Sequence, residues 1–141
     1  MAEKKNIPQI RFKNFTAPWE QRKFEKTFLF LQNNTLSRAD LNYQNGEIRN
    51  VHYGDVLIRY GECLDLASEN LPFITDDSVG DRFRNSMLQE GDVIIADAAE
   101  DESVGKCTEL RNSRKKKILS GLHTIPCRPV EAFAGGYLGY Y

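Results

Sequence analysis

The chain has 141 residues, of which 40% are hydrophobic and 28% charged, and its formal net charge is -1 at pH 7. This length and composition predict one globular domain with its own core. No apolar stretch approaches the roughly 20 residues that cross a bilayer, and residues 1–6 lack the apolar segment of a secretory signal, so we expect a cytoplasmic protein that does not span a membrane. Three widely spaced cysteines, Cys63, Cys107 and Cys127, predict free thiols rather than a disulfide framework or a Cys-x-x-Cys metal site.

The charge is unevenly distributed along the chain. Residues 1–60 carry ten basic and six acidic side chains, residues 61–105 carry two and twelve, and residues 106–141 carry seven and two. A basic surface is the usual electrostatic feature of a nucleic-acid-binding protein. If the fold brings the two basic segments together, one face attracts phosphates. In the alternative interpretation, both signs of charge only keep the surface soluble.

The first predicted element is a short helix near the start of the chain. Residues 16–18 supply a capping hydroxyl and an early-turn proline, and apolar side chains then recur at helical spacing until residues 32–34 end the run. We expect these apolar side chains in the core: Trp19, Phe24, Phe28 and Leu31. Residues 35–47 are polar and lead to an Asn45-Gly46 turn, which indicates a loop or the approach to a hairpin.

Two later segments, residues 53–60 and residues 90–97, share one plan, in which a Gly-Asp turn precedes an aliphatic run and a polar residue follows. We expect each run to form a strand, at residues 55–60 and at Val93–Ala96, and functional residues where these strands end. Apolar or alternating runs predict four further strands, at residues 48–51, 71–75, 105–110 and 118–127. Prolines 126 and 129 are expected to close the last strand, because proline cannot donate to a central ladder.

Two-residue periodicity dominates from residue 48 onward. It predicts an α+β fold, with a twisted, mostly antiparallel or mixed β-sheet and a few short helices in a single domain over residues 1–141. From residue 130, apolar and aromatic side chains recur as they do at the start of an amphipathic helix, and the sequence ends before such a helix gains length.

Several motifs follow one another in a particular order along nearly the whole chain. Ile-Pro-Gln-Ile-Arg-Phe at residues 7–12 precedes Trp-Glu-Gln-Arg-Lys at residues 19–23, and Gly-Asp-Val-Ile-Ile with a later Val-Gly-Lys occupies residues 91–106. Leu-His-Thr-Ile-Pro at residues 122–126 and an aromatic, glycine-rich end at residues 133–141 complete the set. This ordered set resembles the target recognition domain of a type I restriction-modification specificity subunit.

The resemblance implies a function and partners. The chain would be a DNA target recognition domain without enzymatic activity, cofactor or metal, reading one half of a bipartite site in double-stranded DNA. Methyltransferase subunits, and through them the restriction subunit, are the implied protein partners. In the family, two recognition domains are joined by long helices that dock the methyltransferase subunits, and the 141 residues contain neither a second domain nor those helices.

Base reading requires arginines, amides and hydroxyls at loop tips, while other basic groups position the DNA backbone. In the family these groups come from loops on one face of the recognition domain. The candidates for base reading lie in the polar loop and around the first Gly-Asp segment: Arg38, Asn42, His52, Tyr53, Arg59 and Tyr60. The densest basic run is the candidate for phosphate contacts, with a solvated hairpin tip as the alternative: Arg111, Arg114, Lys115, Lys116 and Lys117.

Two other functional classes stay open at this point. The carboxylates of residues 97–102 with Lys106 suit a metal-dependent nuclease, although four acids in one loop are more typical of a solvated face that repels DNA. A protein-docking module is the other alternative, with Tyr137, Tyr140 and Tyr141 as its contact. The sequence has no phosphate-cradling, dinucleotide-binding or adenine-methyltransferase motif. His123, with apolar neighbours, is predicted to be a strand residue rather than a metal ligand.

Overall fold

The computed structural model of the chain describes residues 7–11, 13–14 and 16–140. Within these residues, three short α-helices, α1 to α3, span Phe24–Thr27, Tyr53–Ile58 and Val79–Arg82. The same residues form nine strands, β1 to β9, which span Phe28–Phe30, Leu41–Asn42, Ile48–Val51, Cys63–Asp65, Phe73–Ile74, Val93–Ala96, Cys107–Arg111, Lys117–Ser120 and Thr124–Pro129. Single 3₁₀ turns lie at Arg38–Asp40, Arg84–Ser86 and Leu138–Tyr140. No helix in this described part is long and apolar enough to cross a membrane.

The strands form two mixed sheets. The large sheet has the order β1-β9-β6-β7-β4, in which only β7 and β4 are parallel. The small sheet has the order β2-β5-β3-β8, in which only β3 and β8 are parallel. Val51 at the end of β3 therefore lies opposite Ser120 at the end of β8. Ala96 at the end of β6 pairs with Thr124, which follows β8 after a tight turn. The ends of β3, β6 and β8 thus meet on one side of the molecule.

The large sheet is covered on both faces. Val56 and Tyr60, from α2 and just after it, belong to one buried cluster with Ile94 of β6 and Leu110 of β7. Successive strand residues point to opposite faces, and the neighbouring Val93 packs on the other face in a cluster with Phe28, Cys127 and Leu138. Full burial of a Val, Leu or Phe side chain contributes roughly 1.5–3 kcal/mol. Burial on the first face therefore fixes which side of α2 faces outward.

The α+β class predicted from the sequence is confirmed, with the strands divided between two mixed sheets. The strands predicted at Ile48–Val51 and Val93–Ala96 are confirmed with the same bounds. Those predicted at residues 71–75 and 105–110 are present as Phe73–Ile74 and Cys107–Arg111. The polar loop before β3 contains a 3₁₀ turn and the short strand β2.

Several predictions of local structure are wrong. Residues 55–60 form most of α2 and its end rather than a strand, because the apolar residues of this segment recur at helical spacing and bury one helix face. The helix predicted over residues 16–31 is limited to Phe24–Thr27, since the next three residues pair with β9 as an edge strand. The strand predicted at residues 118–127 is two strands, separated by a turn in which His123 has a φ of 54°. His123 is therefore a turn residue, not a strand residue.

Pro126 lies inside β9 rather than at its end. Its carbonyl accepts a hydrogen bond at 2.9 Å from the N–H of Leu31, the residue just after β1. A strand residue points its N–H and its carbonyl to the same side, so the donor that proline lacks would face the point where β1 ends. The proline is tolerated there because the missing donor would face the end of an edge strand rather than a central ladder. After residue 130 the described chain forms no α-helix, and its last element is the 3₁₀ turn Leu138–Tyr140.

Candidate nucleic-acid interface

Helix α2 begins where β3 ends, and His52 caps its first turn. The Nδ1 atom of His52 accepts a hydrogen bond from the Gly54 N–H at 3.1 Å, which satisfies a backbone donor that the helix leaves free. Because Val56 and Tyr60 face the core, the opposite side of the helix faces outward. That side presents Gly54, Ile58 and Arg59.

Arg38 lies over the outward side of α2 and is held there by Asp55. Its Nη1 and Nη2 atoms donate to the two carboxylate oxygens of Asp55 at 2.9 and 3.1 Å, and Nη2 lies 3.3 Å from Nδ1 of His52. The hydrogen bonds to Asp55 raise the pKa of Arg38. The Arg38 side chain is 50% exposed and that of Asp55 only 9%. The pair therefore presents a half-exposed guanidinium outward, with its carboxylate underneath.

Arg59 and Tyr43 border the same side of α2. An Nη2 atom of Arg59 lies 3.1 Å from Oε2 of Glu69, and its Nη1 donates to the Tyr43 hydroxyl at 3.5 Å. We call this region the α2 surface, which consists of Arg38, Tyr43, Gly54, Ile58 and Arg59. It combines two cationic side chains, a hydroxyl and an exposed aliphatic side chain on one short helix and the loop beside it.

Two of the predicted base-reading residues, Tyr60 and Asn42, have structural roles, and the role of a third, His52, is described below. Tyr60 is 1% exposed in the core, where burial raises the pKa of its hydroxyl, so it is withheld from any DNA surface. The side-chain oxygen of Asn42 accepts hydrogen bonds from the backbone N–H groups of Gln44 and Asn45 at 2.9 and 3.0 Å. Asn42 therefore shapes the turn that follows β2.

The ends of β3, β6 and β8 bring a second group of side chains together beside α2. The Tyr53 ring lies between two histidines, stacked 4.8 Å from the ring centre of His52 and edge-on 5.3 Å from that of His123. Nδ1 of His123 lies 3.4 Å from Oδ1 of Asp97. We call these four residues, His52, Tyr53, Asp97 and His123, the histidine edge. It adjoins the α2 surface through the contact between His52 and Arg38.

His52 positions its neighbours rather than presenting a polar group to a ligand. Its side chain is buried, burial lowers the pKa of His52, and the positive charge of Arg38 lowers that pKa further. Because Nδ1 accepts from Gly54, the neutral ring carries its proton on Nε2. A neutral ring in this tautomer fixes both the start of α2 and the Tyr53 ring.

The basic run lies at the other end of β8. Residues 111–117, which we call the basic turn, connect β7 to the start of β8, whereas the turn containing His123 follows the end of β8. Lys117 and Ser120 are separated by the length of the strand, on the order of 10 Å. Arg38 contacts His52 at the end of the parallel strand β3. Arg38 and the basic turn therefore do not form one basic face.

Two of the five cations of the basic turn pair with carboxylates, and a third donates to a backbone carbonyl. Arg111 lies 3.4 Å from each of two carboxylates, Lys117 lies 2.7 Å from a third, and Lys116 donates to a backbone carbonyl at 2.6 Å. The three carboxylates belong to Glu47, Glu90 and Glu109. Among the described residues, Arg114 and Lys115 have no such partner. This arrangement favours the interpretation of the turn as a solvated tip.

The acidic loop of residues 97–102 gives the nuclease alternative no geometric support. Lys106, the proposed catalytic lysine, donates to the Leu57 carbonyl at 2.9 Å and so satisfies a backbone acceptor near the end of α2. Asp101 accepts hydrogen bonds from the backbone and hydroxyl of Ser103 and closes a local turn. Within the described residues, no three His, Cys, Asp or Glu side chains lie together as metal ligands. All three cysteines are free thiols.

An aromatic cleft of about 550 Å³ lies between the segment before β1 and the last residues of the described chain. Phe24 stacks on Phe28 with ring centres 4.5 Å apart, and Phe133 lies 6.2 Å from Phe28 and 6.3 Å from Tyr137. Trp19 also lines the cleft. Of the tyrosines predicted for protein docking, Tyr137 and Tyr140 are exposed, and Tyr141 lies outside the described residues.

Among the residues of the candidate interface that are missing from the sequence-based candidates, Tyr43, His123 and Ile58 each have a signal in the sequence. Tyr43 adjoins Asn42 in the polar loop. Gly121 marks a turn two residues before His123. The apolar residues of α2 recur at positions 53, 56, 57 and 60, a helical spacing that leaves Ile58 on the outward side.

No protein-family model matches the chain, and no curated protein matches it in sequence. The proposals that follow therefore depend on the order of the sequence motifs and on the geometry of the α2 surface and the histidine edge.

Proposed function

We propose that the chain is a non-catalytic DNA target recognition domain, the specificity component of a type I restriction-modification system that works in the cytoplasm. It reads one half of a bipartite site in double-stranded DNA, and separate methyltransferase and restriction subunits modify or cut that DNA. The order of the sequence motifs supports the family. The observation that supports DNA binding most directly is the outward guanidinium of Arg38, held in place by Asp55.

A fixed guanidinium suits base reading. An arginine that donates to O6 and N7 of guanine makes the commonest specific contact in the major groove, and each such pair discriminates by about 1–3 kcal/mol. The salt bridge to Asp55 orients Arg38 before DNA arrives, so less side-chain entropy is lost on binding. A guanine that approaches the Nε side of the guanidinium displaces the contact between Nη2 and His52. At 3.3 Å this is the longest of the three contacts that the Arg38 guanidinium makes with Asp55 and His52.

The remaining groups divide between base and backbone contacts. His123 and Tyr53 provide ring nitrogen and hydroxyl groups on the histidine edge, which adjoins Arg38 through His52, and these groups suit base edges. Arg59 and Tyr43, at the border of the α2 surface, suit phosphate oxygens. DNA-binding modules of this size bury on the order of 600–1,000 Å² of protein surface. One recognition domain is therefore expected to bind weakly unless a second domain or partner subunit engages the same DNA.

The decisive experiment is selection from random DNA duplexes by the purified domain at about 50 mM salt, where electrostatic binding is strong. The selection is carried out first with the domain alone and then with methyltransferase subunits. Enrichment of a short half-site by the domain alone is the expected result. Enrichment only with the subunits makes the domain a recognition unit that depends on its assembly. No enrichment under either condition rejects the proposal.

Protein docking is the second candidate, and the exposed aromatic cleft favours it. In that case the cleft, rather than the α2 surface, contacts a methyltransferase subunit. Tyr137→Ser then weakens capture of the subunit, while Arg59→Gln leaves both capture and DNA selection unchanged. Weaker binding of the selected half-site by Arg59→Gln, with normal capture, supports DNA recognition instead.

A further inference from the structure

We infer that Ile58 recognises a thymine by packing against its C5-methyl group in the major groove. The inference rests on the proposed DNA-recognition function and adds the residue and the base that it distinguishes. It is carried by the exposure of Ile58 together with the groups that surround it on the α2 surface.

Ile58 is 85% exposed in a helix whose other large apolar residues pack inward. Val56 and Tyr60 already fill the face that α2 turns toward the large sheet, so Ile58 contributes nothing to the core. A single exposed aliphatic side chain is ordinary on a protein surface. Its neighbours, rather than its exposure alone, indicate what it contacts.

Gly54 lies one turn before Ile58 on the same side of α2, and the side chains of His52 and Arg38 lie over it. A Cβ at Gly54 would lie 3.2 Å from Nδ1 of His52 and 3.6 Å from Nη2 of Arg38, so even one added carbon is tightly placed. Gly54 therefore leaves room for Arg38 and His52 over the first turn of α2, and Ile58 is the exposed apolar side chain beyond them.

Positively charged groups lie on both sides of this apolar side chain. Arg38 covers the first turn of α2 through Asp55, and Arg59 immediately follows Ile58. The Asp55 carboxylate is buried beneath Arg38, while Glu69 beside Arg59 is partly exposed. An apolar contact between two guanidinium groups complements a groove whose base edges lie between two phosphate backbones. Duplex DNA is therefore the occupant to which we commit.

The dimensions of α2 fit the major groove. The groove is about 12 Å wide and admits an α-helix, whose diameter with its side chains is about 10–12 Å. Thymine is the base that presents a methyl group there, whereas the others present hydrogen-bonding groups. Ile58 has no hydrogen-bonding atom in its side chain, so thymine is the base that it can favour.

Replacement of thymine by deoxyuridine tests the inference, because it removes only the methyl group. Each thymine in the selected half-site is replaced singly, and dissociation constants are measured for the wild-type domain, Ile58→Ala and the control Val130→Ala. Val130 is also exposed and lies beyond the far end of β9. One buried methyl corresponds to a change of about fourfold in Kd. For the wild type and Val130→Ala we expect replacement of one thymine by deoxyuridine to weaken binding by about fourfold. For Ile58→Ala we expect the thymine duplex and that deoxyuridine duplex to bind with equal affinity.

The other outcomes overturn the inference in distinguishable ways. A half-site without thymine, no sensitivity to deoxyuridine, or sensitivity that persists in Ile58→Ala rejects the role of Ile58 and leaves DNA recognition intact. Failure to select any half-site, alone or with the subunits, rejects DNA recognition as well. Normal DNA binding by Ile58→Ala with reduced capture of a methyltransferase subunit assigns the side chain to a protein contact.

Discussion

At the scale of single residues, His52 connects the two parts of the candidate interface. One ring caps α2 through Gly54, contacts Arg38 and stacks on Tyr53, which in turn touches His123. These contacts need an unprotonated Nδ1 atom, because both the Gly54 N–H and the Arg38 guanidinium donate toward it. Protonation of this ring would therefore disturb the groups on either side of it, Arg38 and Tyr53, that we propose for base reading.

We predict that the free energy of unfolding decreases as the pH falls from about 7 to about 5. The pKa of His52 in the folded protein is lowered by burial from its ordinary value of 6.5, so the unfolded state takes up the proton first. The contribution of His52 is present above pH 6.5 and is lost as the pH falls through the lowered pKa.

The variant that tests this prediction is His52→Asn, which keeps a capping oxygen and cannot titrate. Chemical denaturation at several pH values should give a shallower decrease for the variant than for the wild type. An unchanged slope would mean that the pH dependence comes from other groups.

The aspartates of the two Gly-Asp segments both hold an arginine. Asp55 binds Arg38, and Asp92 accepts from Nε and Nη2 of Arg128 at 2.9 and 2.7 Å and from the Gln89 N–H at 2.7 Å. Asp92 is almost completely buried. The common sequence plan therefore corresponds to a common side-chain role, even though the segments that follow differ in structure.

We predict that Asp92→Asn lowers the free energy of unfolding by about 3–5 kcal/mol, because it leaves the largely buried Arg128 guanidinium without its charge partner. The control is Asp81→Asn, which breaks a pair of similar length, 2.9 Å, whose side chains are 75% and 78% exposed. Exposed pairs contribute about 0–1 kcal/mol. Urea denaturation measures the free energy of unfolding of both variants. Similar decreases for Asp92→Asn and Asp81→Asn would contradict the conclusion that burial makes the Asp92–Arg128 pair important.

At the scale of elements, the two Gly-Asp segments show where sequence reasoning succeeds and where it fails. The run Val93–Ala96 lies between β9 and β7 and is a strand, as predicted. The similar run after Gly54 is a helix, because its flanking tyrosines extend the apolar pattern to positions 53, 56, 57 and 60 and allow one face to be buried. A short aliphatic run is compatible with either structure, and its wider context decides between them.

The candidate interface was predictable to a similar extent. Arg38, His52, Tyr53 and Arg59 were all identified from their places in a polar loop and around a Gly-Asp segment, and the structure brings them to adjoining regions. Their grouping depends on α2 and on the parallel pairing of β3 with β8, which link distant parts of the chain. His123 joins them only because its turn ends β8 beside β3, a register that local sequence does not encode.

We predict that the basic turn contributes little to DNA binding. The double variant Arg114→Gln/Lys115→Gln removes the two cations that have no partner among the described residues, yet these lie at the opposite end of β8 from the histidine edge. The slope of log Kd against log salt should be unchanged in this variant. Arg59→Gln should lower the slope by about one, the effect of one lost phosphate contact. The reverse result would move the interface to the basic turn.

At the scale of the whole molecule, the end of the described chain supports the large sheet from the side opposite α2. The buried carboxylate of Glu109 on β7 accepts hydrogen bonds from the backbone N–H groups of Gly136 and Leu138 at 2.7 and 2.9 Å. Leu138 is buried with Val93 and Phe28 on that face. The sheet that positions α2 is therefore held between two layers, and a defect in one layer lowers global stability without touching the α2 surface.

This arrangement predicts that Gly139→Ala destabilises the fold but preserves DNA selection. A Cβ at Gly139 would overlap the Glu62 backbone carbonyl, so the last turn must shift away from the sheet. Overpacking of this kind costs about 1–3 kcal/mol. Gly61→Ala is the matched control, because nothing lies within 4 Å of its added carbon, and its effect should stay within about 0.5 kcal/mol.

Denaturation should separate the two variants, and amide exchange at Gly136 and Leu138 should quicken only in Gly139→Ala. If Gly139→Ala also changed the selected half-site under conditions where it is fully folded, the two faces of the sheet would be coupled and the α2 surface would not be rigidly held.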